Sequence, residues 1–508
     1  MKRFFKSVFS RLTFIIIAII LQLALYLVIP AVFGKYFPTV PIHTLMAVLA
    51  LVIVIAIINS DMTIEGQLPL VILCLVAPIV GVIFCLMFVN LSMPRKIKKN
   101  GLAVKKISQD SLSLTEQQKE KLKQATGDDY GQFDYIYKTS NVPAYLNTNV
   151  EFLPSGEKFF EKLKKELKQA QKYIFMEYFI IEKGKMWIEI QQILVEKVKS
   201  GVEVRLMYDD LGTISKLPAN FAKKLKKLGI KCEKVNEYSS ATSSIYNNRD
   251  HRKITVIDGK VGFMGGANLA DEYINEIHPY GYWKDSAVCI NGEAVKNLVC
   301  LFLQMYDIQT KNVEDFGKYI QSNIEQTDGV VCPFGDGPKY WYGEHIAENV
   351  LLNMIGQAKN YIYITTPYLI IDAKLKIALI NASNRGVDVR IVTPHIPDKK
   401  FIFKITRSSY RSLQNTGVKI LEFEPGFVHA KQMIVDDKFA LVGTINLDYR
   451  SLIHHYECGV LMYKTTCLKD IKQDFESMFS QCIDMTGFKQ NAFTRIVCAL
   501  VKLYTPLL

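Results

Sequence analysis

At 508 residues the chain is long enough for two or three domains with cores of their own. A formal net charge of +13 points to an anionic partner, which could be a membrane surface, a nucleic acid or an acidic substrate, without choosing among them. The ten cysteines never fall at C-x-x-C spacing, which excludes a zinc or thioredoxin-type signal, and a chain of this size needs no disulfide staples. They read as small, mostly buried residues in a reducing compartment.

In chain order, three apolar stretches come first. Leu12–Phe33 and Leu68–Val89 each run about twenty residues without a charge, the length that spans a bilayer core. Val40–Ile58, between them, is nearly as long and strongly apolar after His43. The first is too long for a signal-peptide core, and no small-residue cleavage site follows it. Lys2, Arg3, Lys6 and Arg11 precede the first stretch, and Arg95, Lys96, Lys98 and Lys99 follow the third. Both basic clusters favour the cytoplasm, which three full crossings do not allow. The expectation is a transmembrane anchor over residues 1–94, with two crossings, the first stretch in the membrane plane and the rest of the protein cytoplasmic.

Residues 95–140 are polar and lysine-rich and read as a basic linker near the membrane. From about Asn141 onward, helix-period and strand-period segments alternate, which argues an α/β fold. This part is an internal repeat. Ala170–Ile181 matches Ala358–Ile371 from a starting offset of 188, with two residues more in the second copy, and Gly229–Lys231 matches Gly417–Lys419 at 188. Gly201–Arg205 matches Gly386–Arg390 at 185, and His251–Asp258 matches His429–Asp436 at 178. Two copies of one α/β unit are therefore expected, at 141–325 and 326–508. The second ends in an apolar stretch, Phe493–Leu508, suited either to an interfacial amphipathic helix or to a final helix docked on the domain.

Each copy carries H-x-K-x4-D, then a glycine-containing turn and an asparagine. These are His251, Lys253, Asp258, Gly265, Gly266 and Asn268 in the first, and His429, Lys431, Asp436, Gly443 and Asn446 in the second. Ile254–Ile257 and Gln432–Val435 read as strand, and positions i and i+2 of a strand share a face. Side-by-side pairing of the copies brings two imidazoles and two ammonium groups together. That set suits attack on a phosphodiester: one neutral histidine takes the phosphoryl group, and the other exchanges protons with the leaving and entering alkoxides. An imidazole pKa of about 6.5 makes both forms accessible. The lysines and asparagines would stabilise charge on the non-bridging oxygens. The arrangement calls for no metal and no other cofactor.

The aspartates of the motif read differently. Asp258 lies roughly 23 Å from His251 along an extended strand and sits in an Asp-Gly hairpin signal, and Asp436-Asp437 is similar. A role in the turn is favoured over a chemical one for both. The carboxylates expected to orient the histidines are Asp285 and Glu457, which correspond at the starts of the strands that follow the asparagines. Each would fix the Nδ1–H tautomer and stabilise the imidazolium. If the halves pack about a pseudo-twofold, Glu457 should serve His251 and Asp285 should serve His429.

On these residues the sequence resembles the phospholipase D superfamily, whose hallmark is this duplicated motif. It resembles the bacterial cardiolipin synthases more closely, over nearly its full length. The likeness is carried by Asn248–Lys253, Gly265–Tyr273, Trp283–Asp285, Thr366–Tyr368 and Gly443–Ser451, with the apolar N-terminus and Leu503–Leu508. It implies two α/β/α repeats sharing one active site, and transfer of a phosphatidyl group from one phosphatidylglycerol to another with release of glycerol. It also implies His251 as nucleophile and His429 as acid and base. Asp250 and His455 depart from the family pattern, standing where asparagine is frequent.

The implied partners are phosphatidylglycerol and anionic membrane lipid, not nucleic acid, at the bacterial cell membrane. A nuclease would share the chemistry, but the apolar N-terminus places the site at a lipid surface. The motifs do not separate a transferase from a hydrolytic phospholipase D or from use of another acceptor alcohol. Both motifs are complete, which argues against an inert scaffold. His43, His278, His345, His395, His454 and His455 lack a motif and read as surface or satisfied interior residues, with His455 set apart by its nearness to Glu457. Tyr368, Arg407 and Tyr410 stay open between a lipid pocket and plain packing. The lysine clusters at 158–172 and 222–233 stay open between solvated helix faces and attraction to anionic lipid. The sequence is silent on oligomeric state.

Overall fold

The computed structural model describes residues 39–60, 62–88, 95–237, 247–321 and 329–503, with a few isolated positions before them. The expectation for stretch 12–33 lies outside the described residues. The chain divides into two compact units, one of Met1–Met93, Tyr238–Asn247 and Ala492–Leu508, the other of Pro94–Glu237 and Asn248–Asn491.

In the first unit, helices α1 (Thr39–Ile58), α2 (Ile64–Val76) and α3 (Pro78–Phe88) follow one another. The run 68–89, read as one span, is thus broken. The reason is local: Pro78 disfavours helical backbone at Ala77, and Ala77 closes α2 at φ −136°, ψ 72°. The two pieces pack closely, since a Cβ on Gly81 would lie 2.6 Å from the Cα of Cys74. The side chains of α1 are described from Thr44 onward, and among the described residues no helix is long and apolar enough to cross a membrane. Leu45, Val48, Val52 and Ile55 form an exposed stripe on α1. The helix Ala492–Lys502 groups with this unit, not with the second half as the sequence suggested.

In the second unit, residues 95–140 are not a linker. They form three helices, α4 (Arg95–Ser111), α5 (Glu116–Thr126) and α6 (Tyr130–Ser140), which bury Val104, Leu112, Leu122, Phe133 and Ile136. Their apolar residues are few, but spaced by whole turns they make one narrow stripe per helix while lysine and glutamine face outward. Thr115 and Gln118 start α5 with a reciprocal capping box.

Two mixed sheets form the rest. The first contains β1 (Thr148–Leu153), β2 (Tyr173–Tyr178), β3 (Glu203–Asp209), β4 (Lys231–Val235), β5 (Ile254–Ile257), β6 (Val261–Gly265) and β8 (Ala287–Gly292), in the order β1-β8-β6-β5-β2-β3-β4. The second contains β9 (Val330–Asp336), β10 (Tyr361–Thr365), β11 (Asp388–Pro394), β12 (Lys419–Phe423), β14 (Gln432–Val435), β15 (Phe439–Gly443), β16 (Glu457–Tyr463) and β17 (Cys482–Asp484). Its order is β17-β12-β11-β10-β14-β15-β16-β9, the first order repeated with β17 added at the edge. β2, β3 and β4 run parallel, as do β10, β11 and β12. The helix Val295–Thr310 touches strands of both sheets and is buried along most of its length. Its Asn297 Nδ2 donates to the carbonyls of Pro143 and Pro333, so one core runs through both halves.

Two short parallel crossings join the halves. β7 (Tyr282–Lys284) pairs with β13 (Gly426–Val428), and Asp250 bridges to Tyr456. Each crossing carries a motif histidine on one side and the acid of the other half on the next residue.

Candidate active site

At the first crossing the His429 N–H donates to the Lys284 carbonyl (2.7 Å), one residue before Asp285. At the second the His251 N–H donates to the Tyr456 carbonyl (2.9 Å), one residue before Glu457. The backbone therefore delivers each imidazole to the carboxylate of the opposite half. His429 Nδ1 lies 2.7 Å from Asp285 Oδ2, and His251 Nδ1 lies 2.9 and 3.0 Å from the two oxygens of Glu457. An ionised carboxylate only accepts, so Nδ1 carries the proton in both, and each Nε2 keeps its lone pair.

The lysines sit just before β5 and β14. Lys253 Nζ donates to the carbonyl of His251 (2.5 Å), and Lys431 Nζ does the same to His429. Both are buried, as are the histidines. Burial pushes His251 down to about 3 and His429 to about 4, despite the opposing pull of Glu457 and Asp285. Burial likewise lowers Lys253 to about 8 and Lys431 to about 7. It would raise Asp285, but His429 and Lys431 hold that carboxyl below its usual range. Glu457 is held well below its own, burial being outweighed by His251. The site therefore presents two neutral imidazoles between two carboxylates, with two ammonium groups that surrender their protons readily.

Asp258 and Asp436 are elsewhere. Asp258 accepts from the backbone N–H groups of Gln171, Lys172 and Tyr173 at 2.7–2.8 Å, and Asp436 from those of Lys359, Asn360 and Tyr361 at the same lengths. Each clamps the entry to an interior strand of its half, β2 or β10, and itself takes φ near +54° at the turn. Both aspartates thus serve the turn rather than the chemistry.

The asparagines divide. Asn268 accepts from Ile180 N–H (2.9 Å) and donates to the Tyr273 hydroxyl (2.7 Å), and the Tyr273 ring stands edge-on to His429 at 5.3 Å. Its amide braces a wall of the site, where a direct role on phosphate oxygens was expected. Asn446 Oδ1 is buried without a partner, so that amide is not committed in the same way.

Sequence reasoning missed several supports. Thr444 donates its hydroxyl to Glu457 Oε2, and Ser451 donates to Oε1 at 2.7 Å. Phe179 stands edge-on to His251 at 5.1 Å, and Trp283 lies 5.3 Å from His429. Thr444 and Ser451 lie in the quoted Gly443–Ser451 segment, and Trp283 directly before Lys284-Asp285. The repeat alignment could have placed them beside the acids. Asp250, one of the departures from the family pattern, pairs with the buried Arg252 (3.0 Å), which also binds Glu177 at 2.5 Å. Among the described residues, His251, His455 and Glu457 form the one histidine–carboxylate group compact enough for an ion, with ligand atoms within 4.8 Å. Glu457 is already shared among His251, Thr444 and Ser451, and Lys253 adjoins the group.

Two halves of one strand order, with a histidine, a lysine and a borrowed carboxylate from each, define a duplicated phospholipase D-type site. Residues 163–305 and 351–479 match the family model described as cardiolipin synthase, PLD-like domain. The chain belongs to that family. It is 43% identical to an uncharacterized protein of Streptococcus mutans, over 90% of this chain and 99% of that one. It is 32% identical to a cardiolipin synthase of Alkalihalophilus pseudofirmus, over 85% of this chain and 86% of that one. The crystal structure of a phosphatidylserine synthase from Haemophilus influenzae has the same fold, with a TM-score of 0.58 at 15% identity, covering 74% of this chain and all of that one.

Proposed function

We propose that the protein is a cardiolipin synthase, moving a phosphatidyl group from one phosphatidylglycerol to a second. The observation that supports this best is the crossed pair of histidine–carboxylate dyads with a buried lysine beside each. In the first step His251 Nε2 attacks phosphorus, the bond from phosphorus to the glycerol oxygen breaks, and that oxygen takes a proton from His429 Nε2. In the second step the free hydroxyl of another phosphatidylglycerol gives its proton to His429 and attacks phosphorus, and the bond to His251 breaks. Burial leaves His429 neutral, and an arriving diester anion favours its imidazolium form. Lys253 and Lys431 balance the charge on the non-bridging oxygens. The relatives named cardiolipin synthase support the choice of substrate.

The same reading places the protein on the bacterial cell membrane, with the second unit on the cytoplasmic side. In its favour are the charge-free apolar stretches, the exposed stripe on α1, and Phe493, Ile496 and Leu500 exposed on one face of Ala492–Lys502. The test is mass-spectrometric product analysis of full-length protein in mixed micelles of phosphatidylglycerol. Cardiolipin with free glycerol is the expected result. Phosphatidic acid alone would make water the acceptor and overturn the synthase reading.

A further inference from the structure

Two residues ahead of each orienting carboxylate stands a ring, Trp283 before Asp285 and His455 before Glu457. Each ring lies beside the histidine that its carboxylate holds. Trp283 is 5.3 Å from His429 with 44° between the planes, and His455 is 5.6 Å from His251 at the same angle. One position of the repeat is thus filled once by an indole, which does not titrate near neutrality, and once by an imidazole, which does.

His455 is tied in place through its backbone, whose N–H donates to the Arg450 carbonyl at 2.8 Å. Its Nδ1 lies 3.6 Å from Glu457 Oε1, is buried, and has no hydrogen-bond partner. The charged and titratable groups facing it are Glu457, His251 and, within electrostatic reach, Asp448. Around His251 stand Glu457, Lys253, His455 and the ring of Phe179. Glu457 therefore has two imidazoles to serve, while Asp285 has one.

We propose that His455 is a positioning residue that shares Glu457 with His251 and, when it carries a proton, adds to the burial that keeps His251 unprotonated and able to attack. A proton on His455 partly neutralises the carboxylate and repels a second positive charge on His251. The charges that oppose a proton on His429 are those of Lys431 and Lys253, but beside Trp283 no second imidazole shares its Asp285. This suits the histidine that must carry a proton to the leaving oxygen. The proposal rests on reading His251 as the nucleophile, and it gives two otherwise matching dyads different chemistry.

The test is the pH dependence of carbethoxylation by diethyl pyrocarbonate, which attacks only neutral imidazole. Rates at His251 and His429 would be followed by peptide mass spectrometry in the full-length protein and in His455→Asn. That variant keeps a polar side chain and loses the titratable ring. The midpoint for His251 should rise by about half to one pH unit while that for His429 stays put. An unchanged His251 midpoint, or equal movement of both histidines, would overturn the proposal. Should His455→Asn lose its cooperative melt, His455→Gln takes the same measurement. No turnover is needed, so a missing cardiolipin product would strike the synthase reading without moving these midpoints.

Discussion

Glu457 and Asp285 hold their histidines at nearly the same distance, yet each is supported differently. Glu457 is the longer side chain, and both its oxygens are held by hydroxyls, from Thr444 and Ser451. Asp285 is shorter and accepts from the N–H of its own neighbour, Ser286, at 2.9 Å. The repeat counterpart of Thr444 is Gly266, where a Cβ would lie 2.1 Å from Asp285 Oδ1. The pairs Thr444 with Glu457 and Gly266 with Asp285 are therefore alternative solutions to one packing problem. A threonine in the first half would collide with the aspartate, and a glycine in the second would leave Glu457 Oε2 to His251 alone. The motif fixes where the reacting groups stand, while the support around them has drifted separately in each half.

Substitutions in the two dyads and their supports should differ in the size of their effects. Removing either ring, by His251→Ala or His429→Ala, should cost about 10³-fold or more in turnover with the melt unchanged. If either variant kept near wild-type turnover, two-histidine chemistry would fail. Glu457→Gln and Asp285→Asn leave the ring positions but allow the wrong tautomer, and each should lose on the order of 10²-fold in kcat. Thr444→Val and Ser451→Ala remove one hydrogen bond to a buried carboxylate, about 1.5 kcal/mol and so roughly tenfold each. An effect as large in Ser286→Ala would deny the difference between the halves, since Asp285 uses that residue's backbone.

The lysines set the pH dependence. Their lowered values mean that charge is lost as pH rises, first from Lys431 near pH 7 and then from Lys253 near pH 8. Turnover should fall along that limb, and Lys431→Arg, which keeps its charge, should move the first step upward in pH. The smallest effect on rate belongs to Asp258→Ala and Asp436→Ala. Each gives up three backbone hydrogen bonds to a carboxylate, worth about 2–4 kcal/mol of stability, visible as a lower melting temperature with kcat intact.

The repeat made much of this legible. Strands β5 and β14 lie where the residues after each lysine predicted them, because β-branched and apolar residues between a motif and a turn leave little choice. The alignment of Asp285 with Glu457 pointed to the crossed contacts, which depend only on both halves sharing one strand order. Residues 95–140 were misread because three narrow stripes on polar helices contain too few apolar residues to stand out from a linker. The break at Ala77 was missed because hydropathy averages over a proline. Thr444 and Ser451 stood in a segment the repeat alignment set beside the acids, whereas Phe179 reaches His251 through a contact made in three dimensions that its local sequence does not signal.

In the proposed reaction one histidine from each half serves a single site, with His251 taking the phosphorus. It is tested most directly by supplying phosphate-labelled phosphatidylglycerol to the full-length protein, quenching in alkali, and mapping the label by peptide mass spectrometry. Label on the peptide containing His251, and not on that containing His429, is the predicted result. Label on His429, or steady turnover with no covalent species at any quench time, would contradict it.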